Sequence, residues 1–99
     1  VKFSFHPEAQ AEFFKAVTYY EECEVGLGDD FALAIDEALQ RIVDFPNAWH
    51  ILEGDVRRCL THRFPFGILY CIEPDGIFIL AVMDLRRDPD YWKHRKPMV

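Results

Sequence analysis

Apolar positions recur along this chain at two different periods, and the change falls at Pro46. Before it, Val1, Phe3 and Phe5 alternate with Lys2 and Ser4, the pattern of a short half-buried strand. His6-Pro7-Glu8 then opens a helix, with proline in the first turn and an acid near the positive end of the dipole. Its apolar stripe is Ala9, Phe13, Ala16, Val17 and Tyr20, and Gly26-Leu27-Gly28 stops it. Asp29 or Asp30 is expected to cap a second helix, whose stripe of Phe31, Ala34, Ile35, Ala38, Leu39 and Ile42 repeats at helical spacing. Two amphipathic helices joined by a short glycine turn form an antiparallel hairpin with one shared apolar side.

After Pro46 the period is two. Val56 to Phe64 reads as a strand with Arg57, Cys59, Thr61 and Arg63 on one face and Arg58, Leu60, His62 and Phe64 on the other. Pro65 and Gly67 mark a reversal, and Phe66 to Glu73 runs back as a second strand. Glu73-Pro74-Asp75-Gly76 is a hairpin signal. The last strand, Ile77 to Met83, is apolar without alternation, so it belongs inside the sheet. Asp88-Pro89 reads as the start of a short C-terminal helix, Asp88 as N-cap and Pro89 at the first helical position. The order is β-α-α-β-β-β with that final helix: one α+β domain over residues 1–99.

Composition narrows the class. The chain is 51% hydrophobic and 15% aromatic, with nine Phe, enough for a packed core and too much for a disordered segment. No apolar run approaches the roughly 20 residues that span a bilayer, and the start has no signal-peptide pattern, so a cytoplasmic protein without a membrane partner is expected. Cys23, Cys59 and Cys71 are odd in number and lack metal-type spacing, which favours reduced, buried thiols. His6, His50, His62 and His94 are scattered, so neither a metal site nor a cofactor is expected. The net charge of −6 is uneven. Residues 1–50 hold three Lys/Arg against ten Asp/Glu (−7), and residues 51–99 hold eight against seven (+1), with basic clusters at 57–63 and 86–96. Overall acidity argues against a general nucleic-acid coater and leaves room for a local basic site.

Several stretches together carry a resemblance. They are Tyr19-Tyr20-Glu21 with Gly26-Leu27-Gly28 and Phe31, Ile42 to Pro46, and Val56-Arg57-Arg58. They continue through Arg63 to Tyr70, Ile79-Leu80-Ala81-Val82, and Arg86-Arg87-Asp88-Pro89 with Tyr91-Trp92. In this order, nearly end to end, they resemble the RelE/ParE toxins of type II toxin–antitoxin (plasmid stabilisation) modules. The resemblance implies a helical hairpin packed on one face of a mainly antiparallel, twisted sheet. It implies a bacterial growth inhibitor held in a hetero-oligomer by a cognate antitoxin whose flexible segment wraps and neutralises it. It also implies one of two targets: DNA gyrase, bound and inhibited by ParE-like members, or messenger RNA on the ribosome, cut by RelE-like members.

The chemistry of the residues divides these readings. Attack by a 2′-OH needs a base, cations for the phosphorane charge, and an acid for the leaving oxygen. For a nuclease the candidates are Arg57, Arg63, Arg86 and Arg87 for charge and Tyr91 for proton exchange, with His62 and His94 behind them. Asp84 stands against that reading: family members often carry His there, and a carboxylate repels an approaching phosphate. Its simpler role is to pair with Arg86. With few surface lysines besides, the reading leans to gyrase inhibition by contact, with a ribosome-dependent endonuclease or an inactive member as alternatives. Each candidate also has a plain structural role. Arg57-Arg58 can pair with Glu53 or Asp55; one of Arg86 and Arg87 can brace its corner while the other faces out; Trp92 suits a core. His62 is expected to be buried beside Leu60 and Phe64, and the acidic helix faces, Glu8, Glu12 and Glu21 included, to be solvated.

Overall fold

His6 ends the first strand and starts the first helix with one side chain: its ring Nδ1 accepts the Glu8 N–H at 3.1 Å, and Pro7 follows at the first helical position. The computed structural model describes residues 3–95, so Val1, Lys2 and the basic Lys96 lie outside the described residues. Its elements are β1 (Phe3–Phe5), α1 (Pro7–Cys23), α2 (Leu27–Asp44), β2 (Ile51–Glu53), β3 (Val56–Leu60), β4 (Phe66–Glu73), β5 (Gly76–Asp84) and a 3-10 turn at Lys93–Arg95. One five-stranded sheet has the order β1-β5-β4-β3-β2; β1 runs parallel to β5, and every other pair is antiparallel. The α+β architecture expected from the periods is therefore the one present.

The helices pack as their stripes require. Ala9 and Ala16 from α1 and Phe31, Ile35, Ala38, Leu39 and Ile42 from α2 are buried against Cys59, Ile68, Tyr70, Ile79 and Val82 of the sheet. Gly28 sets the helix spacing, since a Cβ there would stand 2.7 Å from the Val17 carbonyl oxygen. The start of α2 differs from expectation. Its N-cap is Gly26, left-handed at φ +89°, and Asp29 and Asp30 fall in the first turn. The orphan N–H groups of Gly26 and Gly28 go instead to the Glu21 carboxylate, each at 3.0 Å. Glu21 is thus a capping group as well as an exposed charge.

The sheet departs from the sequence pattern in three places. β3 stops at Leu60 instead of Phe64, because Arg63 takes a left-handed φ of +73° and the Thr61 hydroxyl lies 3.0 Å from the carbonyl oxygens of both Phe64 and Phe66. His62 is therefore on an exposed loop, not buried, while Phe64 turns back into the core. The three-residue edge strand β2 was not legible as a strand, being too short to show a period. A bulge in β5 sets Leu69 opposite Ala81 and Tyr70 opposite Ile79, leaving Leu80 extra. Leu80 and Ala81 then join Val56, Leu69, Cys71 and Met83 in a second core on the sheet's other face.

The C-terminal segment covers that second core through Trp92, which is 1% exposed and donates its indole N–H to Pro89 O at 2.6 Å. Asp88 accepts the Asp90 N–H at 3.0 Å and forms a turn, so regular structure starts only at Lys93, later than Asp88-Pro89 predicts. Cys59 and Cys71 are buried, whereas Cys23 at the end of α1 is exposed. Among the described residues, no helix is long and apolar enough to cross a membrane.

Candidate functional site

β5 delivers Asp84 to the end of the sheet, where Leu85 N–H bonds to Pro65 O at 2.9 Å and Arg87 N–H to Asp84 O at 3.0 Å. The chain turns there around one carboxylate. Asp84 accepts the Arg86 backbone N–H and Nε at 2.9 Å and Arg86 Nη2 at 2.8 Å, so the expected pairing of these two residues is present as a two-pronged contact. The Arg86 guanidinium holds the Asp84 carboxyl below the usual carboxylate range, and Asp84 in turn raises Arg86.

Arg87 leaves the turn in another direction. Its guanidinium carbon lies 3.9 Å from the centre of the Tyr91 ring, and its Nη1 is 3.6 Å from Glu12 Oε2. Arg95 approaches the same ring at 4.9 Å. The Tyr91 hydroxyl is buried, and that burial, with the negative charge of Glu12 next, pushes the phenol above its ordinary value of 10.0. Arg87 thus braces the C-terminal segment and Arg86 its own turn, and each keeps more than half of its side chain exposed, 54% and 64%.

Between this turn and the outer side of α1 lies a groove of about 480 Å³, lined among others by Lys15, Tyr19, Tyr20, Asp84, Arg86 and Arg87. Lys15 and Tyr19 come from the polar stripe of α1, and Tyr19 is 56% exposed. Neither is a candidate from the sequence, where Tyr19 enters only through the Tyr19-Tyr20-Glu21 motif. The signal available was a lysine and a tyrosine four apart on one helix face, which carries no meaning until β5 is known to end beside it.

The five candidate residues do not converge. Arg86, Arg87 and Tyr91 share the corner. Arg57 is tied to the loop after α2, donating to Trp49 O at 2.7 Å and Asn47 O at 3.3 Å rather than to Glu53 or Asp55. Glu53 is engaged by Lys93 at 2.9 Å. Arg63 pairs with Asp30 in the first turn of α2, also at 2.9 Å, with both side chains about half exposed. Of the two histidines, His94 bonds to Glu8 at 3.1 Å, and His62 lies on its exposed loop. Among the described residues, no cluster of His, Cys, Asp and Glu could hold a metal ion.

Comparison with known proteins agrees with this fold. The family model described as "ParE toxin of type II toxin-antitoxin system, parDE" matches residues 3–89. No curated protein matches the sequence. Among solved structures, a chain of the "Chromosomal ParDE TA system from P. aeruginosa" superposes with a TM-score of 0.63 at 13% identity, over 87% of this chain and 97% of that one. At that identity the likeness carries the fold.

Proposed function

The chain belongs to the ParE toxin family of type II toxin–antitoxin systems, and from that premise we propose that it arrests bacterial growth by binding DNA gyrase in the cytoplasm. A cognate antitoxin, held with it in a hetero-oligomer, neutralises it. The observation that carries the choice of contact over RNA cleavage is the state of the Asp84–Arg86 turn.

A nuclease needs a free base and cations that turn toward the phosphate. Asp84 already accepts three hydrogen bonds from Arg86 and has a lowered proton affinity, which makes it a poor base at neutral pH. Arg87 is spent on Tyr91 and Glu12, and Tyr91 is a weaker acid than a free phenol. Arg57 and Arg63 point to other elements. What the corner offers outward is Arg86, Arg87, Lys15 and the Tyr19 ring in a shallow groove. A charged, aromatic surface of this kind suits contact with a protein.

Controlled expression in bacteria with two readouts tests the proposal. Filamentation with a DNA-damage response and intact messages is expected, with relief by Tyr19→Ala or Arg86→Glu in protein that stays folded. Codon-phased cuts in messages at the ribosomal A site would overturn it in favour of the endonuclease. Unimpaired growth without antitoxin would identify an inactive member.

A further inference from the structure

The C-terminal segment is built around the Tyr91 ring. It coils through short turns in which Tyr91 N–H donates to Asp88 O at 3.4 Å, Lys93 N–H to Asp90 O at 3.1 Å and Arg95 N–H to Trp92 O at 2.9 Å. Arg87 and Arg95, each four residues from Tyr91 in the sequence, thereby meet over the same ring, their guanidinium carbons 3.9 and 4.9 Å from its centre. The ring packs against the second core. The hydroxyl, in contrast, is buried and makes no hydrogen bond among the described residues. The Glu12 carboxylate beside it already receives Arg95 on both oxygens and Val82 N–H on one, so it leaves no well-aligned acceptor for the phenol. An unpaired hydroxyl opposes burial. The ring is what seats Tyr91.

Arg87 depends on that ring for its place. Its remaining contact, Nη1 to Glu12 Oε2 at 3.6 Å, is an ion pair beyond hydrogen-bond length. Arg86, by comparison, is fixed by Asp84 through Nε at 2.9 Å and Nη2 at 2.8 Å. Both arginines line the groove beside Lys15 and Tyr19, and both keep more than half of their side chains in solvent. A long side chain that rotates freely loses conformational entropy when it grips a partner, whereas one already fixed loses little. Tyr91 thus does for Arg87 what Asp84 does for Arg86.

We infer that Tyr91 is a positioning residue of the target-binding groove: its ring presets Arg87 for contact, and its hydroxyl is dispensable. This role rests on the gyrase-contact reading above. It is the opposite of the proton exchange that a nuclease would ask of the same residue, which needs the hydroxyl and not the ring. Phenylalanine keeps the flat face that attracts a guanidinium, while leucine keeps apolar bulk without it. The two substitutions therefore separate positioning from both proton transfer and plain packing.

The test measures binding of the full chain to purified gyrase by calorimetry, for wild type, Arg87→Ala, Tyr91→Leu, Tyr91→Phe and the double variant Arg87→Ala/Tyr91→Leu. Circular dichroism melts check the fold, and thiol labelling checks that the segment stays seated, because Cys71 is buried in the second core together with Trp92. Arg87→Ala and Tyr91→Leu are each expected to weaken binding about two- to tenfold, the range for freeing one long side chain. Tyr91→Phe is expected to bind as wild type, and the double variant to be no weaker than the weaker single one. Nitrogen-15 NMR of the Arg87 Nε–H gives a readout independent of the target, ordered in wild type and Tyr91→Phe and averaged in Tyr91→Leu. Tyr91→Phe as weak as Tyr91→Leu would overturn the positioning role in favour of the hydroxyl, and additive losses in the double variant would overturn it too. Labelling of Cys71 in Tyr91→Leu as fast as that of the exposed Cys23 would overturn it by showing that the ring holds the whole segment. An Arg87 side chain equally mobile in wild type and Tyr91→Leu would do the same. Wild type that binds no gyrase, with Arg87 ordered by the ring, would overturn the choice of target and leave the positioning of Arg87 standing.

Discussion

Arg95 and Glu12 meet from opposite ends of the chain, with the guanidinium Nη1 and Nη2 at 2.8 and 3.1 Å from the two carboxylate oxygens. The pair stands where a strand is missing. β1 accompanies β5 only from Ile77 to Ile79, and its last rung is the His6 N–H on Ile79 O at 2.8 Å. Beyond it, the Leu80 carbonyl would be left open, and so would the Val82 N–H. Arg95 Nη1 donates to Leu80 O at 3.2 Å, and Glu12 Oε1 accepts Val82 N–H at 3.1 Å. One ion pair therefore closes the sheet edge and anchors the C-terminal segment that carries Trp92 over the second core.

Removing one member should be costly, because both side chains are largely buried, 5% exposed for Arg95 and 15% for Glu12. Arg95→Ala is expected to destabilise the fold by about 3 kcal/mol, the lower end for breaking a buried pair. Glu12→Gln keeps an oxygen for Val82 N–H and should cost less. Urea unfolding of the two single variants and the double variant Glu12→Ala/Arg95→Ala checks this, the double variant losing less than the sum of its parts.

Asp84 should give the protein an acid-sensitive contribution. Its folded pKa lies below the ordinary 3.8, chiefly through the Arg86 hydrogen bonds, so the unfolded chain takes up a proton first as pH falls. The stabilisation is whole above the unfolded value and disappears as pH drops through the folded one. Stability measured between pH 6 and 2 should fall less steeply in Asp84→Asn than in wild type below about pH 4.

Tyr70 should act at the alkaline end with the opposite sense. Its hydroxyl donates to Pro46 O at 2.6 Å, and burial raises its pKa from 10.0 to about 12. Unfolded chain deprotonates first on this side, so stability falls as pH rises from 10 towards 12. Phenolate absorbance should show Tyr70 among the late-titrating tyrosines, with Tyr20 and Tyr91, whose phenols burial also raises. Tyr70→Phe should remove one tyrosine's share of that late component and cost about 1 kcal/mol at neutral pH for the lost bond.

Gly28→Ala sets two effects against each other. Alanine favours a helix over glycine by about 1 kcal/mol. Against it, the new methyl would stand 2.7 Å from a backbone oxygen, Val17 O, and 2.9 Å from Glu21 Cβ, so the helices must part. Overpacking of that kind costs about 1–3 kcal/mol, and net destabilisation is expected in denaturant titration. Gly26→Ala meets no atom within 4 Å but must hold φ near +89°, so it should destabilise through backbone strain alone, by about 1 kcal/mol.

Local pattern determined a good deal. The helical stripes named the buried faces of α1 and α2, the unbroken apolar run placed β5 inside the sheet, and Trp92 fell in the core. The family was legible too, because its motifs are turns, caps and strand ends whose chemistry is written within a few residues. Asp84 and Arg86, two apart, paired as spacing alone suggests.

What the tertiary structure decided was the fate of the charges. Glu12 and Glu21 read alike in the sequence, as solvated helix charges, yet one closes a sheet edge and the other caps the next helix. Arg57 and Arg58 are adjacent, and pleating sends one to the 47–49 loop and the other over Gly67 into an open groove. Arg63 left its strand because its backbone turned left-handed. Apolar period is a local property, fixed by the geometry of one helix or strand. The partner of a long charged side chain depends on which distant backbone groups the packed elements leave unsatisfied, and that exists only once the chain has folded.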